Sequence, residues 1–337
     1  MLAMFLVLLV HADFYSLGAP ALTDVQAQPL DSAVRIAVQN VSIVCVNVFV
    51  LISGWFGIRP KVRSITAFLF QCLFFLIGIY AVMLAAGWAQ LSLNGVEGCF
   101  LLTKLNWFPK AYLVLYMLAP ALNALMEQAP RGQVRLILVC FFLFQTVYDW
   151  VAGATDYLVS GYSPLSFIGL YLLARYARVY RPRWAALSAR ADAGIYFLLV
   201  LLCTAVQLAS SLAGGFVYAH VTARMVYYSN PAVIAAALYL LLAFSKLRLQ
   251  SRAVNWFAAS SFAVFLLHTN PNVINSYFRP FCQRLYELWG TAYFVLILPV
   301  LAGIFLVSVL LDQLRIRAWR RLESPVAHFF ERLLRRS

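Results

Sequence analysis

His11 is the first residue in this chain placed where it can do chemistry. It closes a run of ten residues without a charge, Met1 to Val10, and Asp13 follows two positions later. Read as a spanning helix at ~1.5 Å per residue, the run carries the imidazole about 15 Å along the axis, near the middle of a bilayer. An ionisable ring at that depth is costly unless it faces a partner or a wet cavity, so it reads as a functional site. A ring that titrates near neutrality can take a proton from a hydroxyl or carry a group transiently. Asp13, two residues on, falls on another face and would serve a different helix. A secretory signal peptide is the competing reading, with Val25-Gln26-Ala27 as its small-residue cleavage site, although no Lys or Arg precedes the run.

Other polar residues recur inside apolar stretches. Asn40, Asn47 and Gly54 stack at seven-residue spacing on one helical face, with Ser53 beside Gly54. Small and amide residues on one face serve helix packing first. Asn106, Trp107 and Tyr112 open a later stretch, and Tyr112, Tyr116 and Asn123 share a face within it. Near the C-terminal end, Ser261, His268 and Asn272 fall on one stripe. Seven helical residues put Ser261 and His268 ~10.5 Å apart, too far for a nucleophile and its base. His268 alone either packs at the outer boundary or points into a site. Arg175 and Arg178 end a span that leads into the densest basic cluster, and Arg59 and Lys61 follow an earlier one. Arginines suit bidentate phosphate contacts, while basic residues beside spans also simply mark topology.

The elements that must position these residues are membrane helices. The 337 residues are 64% hydrophobic and 11% charged, with a net charge of +14 and a mean hydropathy of +0.82. Soluble domains carry about 25% charged residues, so this is an all-α polytopic membrane protein. Ten spans are expected, near 1–20, 36–57, 65–88, 108–126, 134–152, 163–181, 193–218, 229–245, 255–271 and 289–312. Most of the Lys and Arg residues lie in the loops after alternate spans and in the tail from Arg315 to Arg336. The positive-inside rule therefore puts both termini in the cytoplasm and accounts for the basic balance without nucleic acid. A membrane domain over 1–313 and a basic amphipathic tail over 314–337, lying on the anionic inner leaflet, follow from the same pattern.

Several chemistries are missing from the sequence. There is no phosphate loop, no H-E-x-x-H zinc motif, no G-x-S-x-G elbow and no Cys/His cluster at metal-ligand spacing, so no metal is expected. Cys99 and Cys282 fall in loops on the same expected side, where a disulfide is feasible.

Six stretches, in this order, carry a resemblance. They are Leu2-Ala-Met-Phe-Leu-Val-Leu-Leu-Val-His11, Asn47-Val-Phe-Val-Leu-Ile-Ser-Gly-Trp-Phe56, Asn106-Trp-Phe through Tyr116-Met-Leu-Ala-Pro-Ala-Leu-Asn123, Phe167-Ile-Gly-Leu-Tyr171, Tyr228-Ser-Asn-Pro231 and Ser260-Ser-Phe-Ala-Val-Phe-Leu-Leu-His268. Together they resemble the acyltransferase-3 family of integral-membrane acyltransferases, especially members that decorate bacterial surface polysaccharides. The resemblance implies a ten-helix fold in the bacterial inner membrane and transfer of an acyl group, usually acetyl from acetyl-CoA, to a sugar hydroxyl. The family's first-span histidine maps onto His11. The family usually has an Arg upstream of that histidine, at a position before Met1, so either the start is placed late or this member lacks the residue.

On this reading His11 is catalytic, and Arg175, Arg178, Arg59 and Lys61 hold the CoA phosphates. Asn47, Ser53, Asn106, Tyr112 and His268 bind the acceptor, a saccharide or lipid-linked glycan, or stabilise the oxyanion. A polytopic transporter or flippase is the rival; it predicts an inverted repeat that the sequence does not display.

Overall fold

The computed structural model describes residues 1–104, 106–248 and 250–335, with side chains described to Val326 in the last helix. The described residues are 83% helical and contain no strand. Twelve helices matter here: α1 (Leu2–Tyr15), α2 (Pro29–Phe56), α3 (Val62–Ala85), α4 (Trp107–Gln128), α5 (Arg131–Val151) and α6 (Pro164–Tyr180), then α7 (Ala189–Ala213), α8 (Pro231–Ser245), α9 (Arg252–Ala259), α10 (Ser261–His268), α11 (Arg279–Trp289) and α12 (Tyr293–Arg335). Among the described residues six stretches are long and apolar enough to cross a membrane: α2, α3, α4, α5, α7 and the run Pro271–Val326, which takes in most of α12.

The core is a continuous apolar cluster around α1, the second half of α2, α6, α8 and α12. Small residues let α2 and α6 touch: a Cβ on Gly54 would overlap the Tyr171 carbonyl and lie 2.9 Å from Ala174 Cβ. Without water to drive apolar faces together, such close backbone approach is how membrane helices associate. Polar locks complete the packing. Asn40 Nδ2 donates to Gln207 Oε1 at 2.9 Å, and Gln207 Nε2 donates to Gln39 Oε1 at 2.8 Å, tying α2 to α7. Asn47 Nδ2 donates to the Tyr228 carbonyl at 2.9 Å. The amide–glycine stripe of α2 thus meets three different neighbours.

Two expectations change, and the tail can be placed. The stretch 255–271 is not one helix: α9 ends at Ala259, Ser260 leaves helical geometry, and α10 ends at His268. Paired serines offer the backbone an alternative partner and mark kinks, and Ser260 Oγ here accepts from Gln313 Nε2 at 3.3 Å. Asn272 therefore sits in a separate short turn, Pro271–Val273, rather than on a stripe with His268. The disulfide is absent, since Cys99 and Cys282 are both free; Cys99 Sγ instead bonds the Gly95 carbonyl at 3.4 Å. The tail, finally, is continuous with α12 and its first turns pack on α3. Buried Arg315 pairs with Asp312 at 2.7 Å, Gln71 Nε2 donates to Asp312 Oδ1 at 3.2 Å, and Trp319 stacks on Phe70 at 5.1 Å. Glu323 pairs with Arg63. The tail's later Phe329, Phe330, Leu333, Leu334 and Arg336 lie outside the described side chains.

Candidate functional site

Helix α1 changes geometry at its polar end. Leu2–Val10 is α-helical, and His11–Tyr15 is a π turn. A π turn adds a residue per turn and frees carbonyls from their usual partners, a feature common at functional sites. Side chains from distant parts of the chain take up these carbonyls. Ser16 Oγ donates to His11 O at 2.7 Å, and Tyr293 OH donates to Ala12 O at 2.8 Å. Gln283 Nε2 donates to Ser16 O at 3.0 Å. Arg35 Nη2 reaches Leu17 O at 3.2 Å and Gly18 O at 2.8 Å, a cation at a helix C-terminus where the macrodipole favours it. Arg35 also lies 5.1 Å over the Tyr286 ring, and Tyr286 and Thr291 both donate to Asp31. Asp13, buried on this side, has its Oδ2 without a hydrogen-bond partner. Ser16 apart, spacing within one helix could not have revealed these residues, because their targets are more than 15 positions away.

This scaffold fixes the imidazole. His11 Nδ1 lies 2.7 Å from the Val7 carbonyl, which can only accept, so Nδ1 carries the proton. The lone pair is then on Nε2, which has no partner among the described residues. His268 arrives from α10, with its rings 5.0 Å from His11 centroid to centroid. Its own Nδ1 donates to Val264 O at 2.6 Å, and its Nε2 sits 3.3 Å from His11 Nδ1. His268 is buried, and its bare Nε2 faces the N–H of His11. The ring that sequence left undecided therefore backs the first-span histidine. Seven-residue arithmetic within α10 was right to exclude Ser261 as its partner, but the partner lay on another helix.

His11 borders a cavity of about 340 Å³. Its far wall is aromatic and thiol: Cys45, Trp107, Tyr162 and Tyr228, with Tyr162 4.7 Å from both Trp107 and Tyr228. Lys104, exposed at the rim, is the only Lys, Arg, Asp or Glu among its lining residues. This size and mix of apolar wall with few polar groups is what small-molecule sites present. Of the five residues expected at the acceptor, only His268 touches His11. Asn47 is held on Tyr228 O, and Ser53 Oγ meets Tyr112 OH at 3.2 Å away from the cavity lining. Asn106 donates to Gly98 O at 3.0 Å and lines a neighbouring chamber instead.

The four basic residues gather at the other end of the bundle. The loop joining α2 to α3 carries Arg59 and Lys61, and three side chains shape it. Tyr171 OH accepts from Ile58 N–H at 3.0 Å and donates to Asn123 Oδ1 at 2.7 Å; Asn123 Nδ2 donates to Ile58 O at 2.9 Å. Tyr116 OH accepts from Lys61 N–H at 3.0 Å. Gly57, at φ +76°, turns the chain, and a Cβ there would press on Arg175 Nη1 at 2.9 Å. Arg175 thus lies against the loop with its Nε unpartnered, while Arg178 sits 5.0 Å over Trp55. Along α2, Cys45 of the cavity and Gly57 of this loop are twelve residues apart, ~18 Å of helix.

These features define a helical, multi-pass membrane protein with a histidine pair at an internal cavity and a basic cluster at one end. The acyltransferase domain model of the acyltransferase-3 family matches residues 1–313, and the chain belongs to that family. It is a membrane acyltransferase. No curated protein and no solved structure matches the chain.

Proposed function

We propose that this protein is an O-acyltransferase of the bacterial inner membrane that moves an acyl group, acetyl in the first instance, from acyl-CoA to a hydroxyl of an envelope or exopolysaccharide sugar. The carrying observation is the tautomer of His11. With Nδ1–H given to Val7 O, the lone pair on Nε2 belongs to a ring that borders a cavity of ligand size. That nitrogen removes the proton from a sugar hydroxyl as the oxygen attacks the thioester carbonyl, and the proton then passes to the departing CoA thiolate. As Nε2 gains the proton, Nδ1–H becomes more acidic, and its two acceptors, Val7 O and His268 Nε2, hold the cation more strongly. His268 is a positioning residue in this scheme: it touches His11 rather than substrate.

Arg175, Arg178, Arg59 and Lys61 bind the CoA phosphates at the cytoplasmic end, and the flexible thiol-bearing arm reaches toward His11 along α2. The unpartnered Nε of Arg175 supports this assignment, since a buried guanidinium nitrogen left without an acceptor suits an incoming anion. Both termini are cytoplasmic on this orientation.

The test uses membranes from cells expressing the wild type or His11→Ala, supplied with radiolabelled acetyl-CoA and the cells' own polysaccharide. Wild-type membranes label the glycan in a base-labile linkage. His11→Ala reduces labelling by ~10²–10⁴-fold at equal protein level, the range expected for loss of a general base. Undiminished labelling in the variant would refute the assignment.

A further inference from the structure

A second chamber, of about 410 Å³, lies beside the His11 cavity at the end of the bundle away from the basic cluster. The two share Pro271, and they share walls residue by residue. Thr103 faces the chamber and Lys104 the cavity; Asn270 and Asn272 face the chamber, and Thr269, Ile274 and Asn275 the cavity. Only these two strips of chain separate them.

The chamber's chemistry is distinctive. Among the described residues no Asp, Glu, Lys, Arg or His lines it, yet its wall is rich in amides and hydroxyls with two aromatics, Tyr80 and Trp88, the latter 63% exposed. Part of this wall is already committed to building the chamber. Tyr80 OH accepts from Ser92 N–H and donates to Gln90 O, both at 3.0 Å, which folds the loop after α3 over the opening. Asn270 Oδ1 accepts from Asn272 N–H at 3.1 Å and caps the turn that divides the two spaces. The side chains of Gln90, Asn94 and Asn272 make no hydrogen bond among the described residues and line the space. A carboxamide both donates and accepts, so three free amides match neutral hydroxyls, whereas phosphates or carboxylates call for cations.

We propose that this chamber is the acceptor subsite, binding a neutral, polyhydroxylated saccharide residue over Trp88 so that the next residue of the same glycan presents its hydroxyl to His11. The inference rests on the acyl-transfer reading above and adds to it where the glycan sits and which groups select it. The aromatic face takes the apolar side of a pyranose, and the free amides of Gln90, Asn94 and Asn272 bond its hydroxyls. Acyl donor and acceptor thereby enter from opposite ends of the bundle.

The test has a binding arm and a kinetic arm, with protein in lipid nanodiscs and de-O-acetylated oligosaccharide from the host's own polysaccharide as the probe. Titration changes tryptophan emission in wild-type protein, and Trp88→Phe loses that change. Asn272→Ala combined with Asn94→Ala raises the half-saturating oligosaccharide concentration by about tenfold, as expected for loss of neutral hydrogen bonds, and leaves that for acetyl-CoA unaltered. Oligosaccharide binding at Trp88 without acyl transfer would keep the subsite and sink the enzymatic reading. Transfer in which the double variant binds oligosaccharide normally, or in which acetyl-CoA competes for the Trp88 signal, overturns the subsite while the enzymatic reading stands.

Discussion

The two ends of the bundle carry charge differently. At one end Arg59, Lys61, Arg175 and Arg178 surround a loop whose backbone is pinned by Tyr171, Asn123 and Tyr116. At the other, a chamber without a charged side chain adjoins a cavity whose only fixed charge is Lys104 at the rim. The first suits a polyanion; the second suits a neutral ligand. Between them, the His11 ring is held by the Val7 carbonyl and a second imidazole rather than by a carboxylate. With the Nδ1 proton given to the Val7 carbonyl, the lone pair that a base needs is left on Nε2. For the reaction proposed above, which joins a charged donor to an uncharged acceptor, this asymmetry would keep each substrate from the other's entrance.

The largest effect is expected from removing the ring behind His11, between the two ends. His268→Ala deletes the ring that faces His11 Nδ1, and glycan labelling should fall by ~10–100-fold, the loss of a hydrogen bond to a group that becomes charged during turnover. Half-saturating acetyl-CoA should not move. A parallel loss of donor affinity would place His268 at the donor rather than behind His11.

Next, Arg175→Ala with Arg178→Ala should raise the half-saturating acetyl-CoA concentration by about tenfold or more, since charged hydrogen bonds contribute roughly 1.5–3 kcal/mol each. The oligosaccharide requirement should stay the same. If the oligosaccharide term moves instead, the two ends have been assigned the wrong way round.

Gly54→Val tests the packing that holds the ends in register. The added atoms meet the Tyr171 backbone, which cannot yield as a side chain can. Overpacking of this kind costs about 1–3 kcal/mol, so the variant should melt earlier in detergent and label glycan less at both ends' saturating substrate. Normal melting would mean that α2 and α6 separate without penalty.

The smallest effect is expected from Tyr293→Phe, which removes the donor to Ala12 O in the π turn. One neutral hydrogen bond contributes ~1 kcal/mol, so activity should drop about fivefold with protein level unchanged. An effect as large as that of His268→Ala would assign Tyr293 a part in the chemistry itself.

Much of this was legible before any coordinates. A helix of the Met1–Val10 type has no surface for water, so the position of His11 inside it already marked the ring as exceptional. The basic loops after alternate apolar runs located Arg175 beside Arg59 and Lys61, because such loops must collect at one membrane face. Asn40, Asn47 and Gly54 read as a packing stripe from their spacing, and each does meet a neighbouring element. The pairing of Cys99 with Cys282 failed for the converse reason: lying on one side of a membrane says nothing about the few ångströms a disulfide needs. Asn272 left its expected stripe because the chain breaks after His268, and helical spacing holds only while the helix continues.

The amino-acid sequence on its own determined that the chain is an all-α membrane protein, that His11 is an ionisable ring at the end of an apolar run, and which loops carry the positive charge. These follow from composition and local order, since solvation free energies act residue by residue. The tertiary structure decided that His268 stands behind His11, that Tyr293 holds the π turn while Gln283 and Arg35 hold the residues just after it, and that the amides near Trp88 line a chamber. Such relations depend on which helices meet and at what rotation, and hydrogen-bond geometry at 3 Å cannot be inferred from residues about 250 positions apart in the chain.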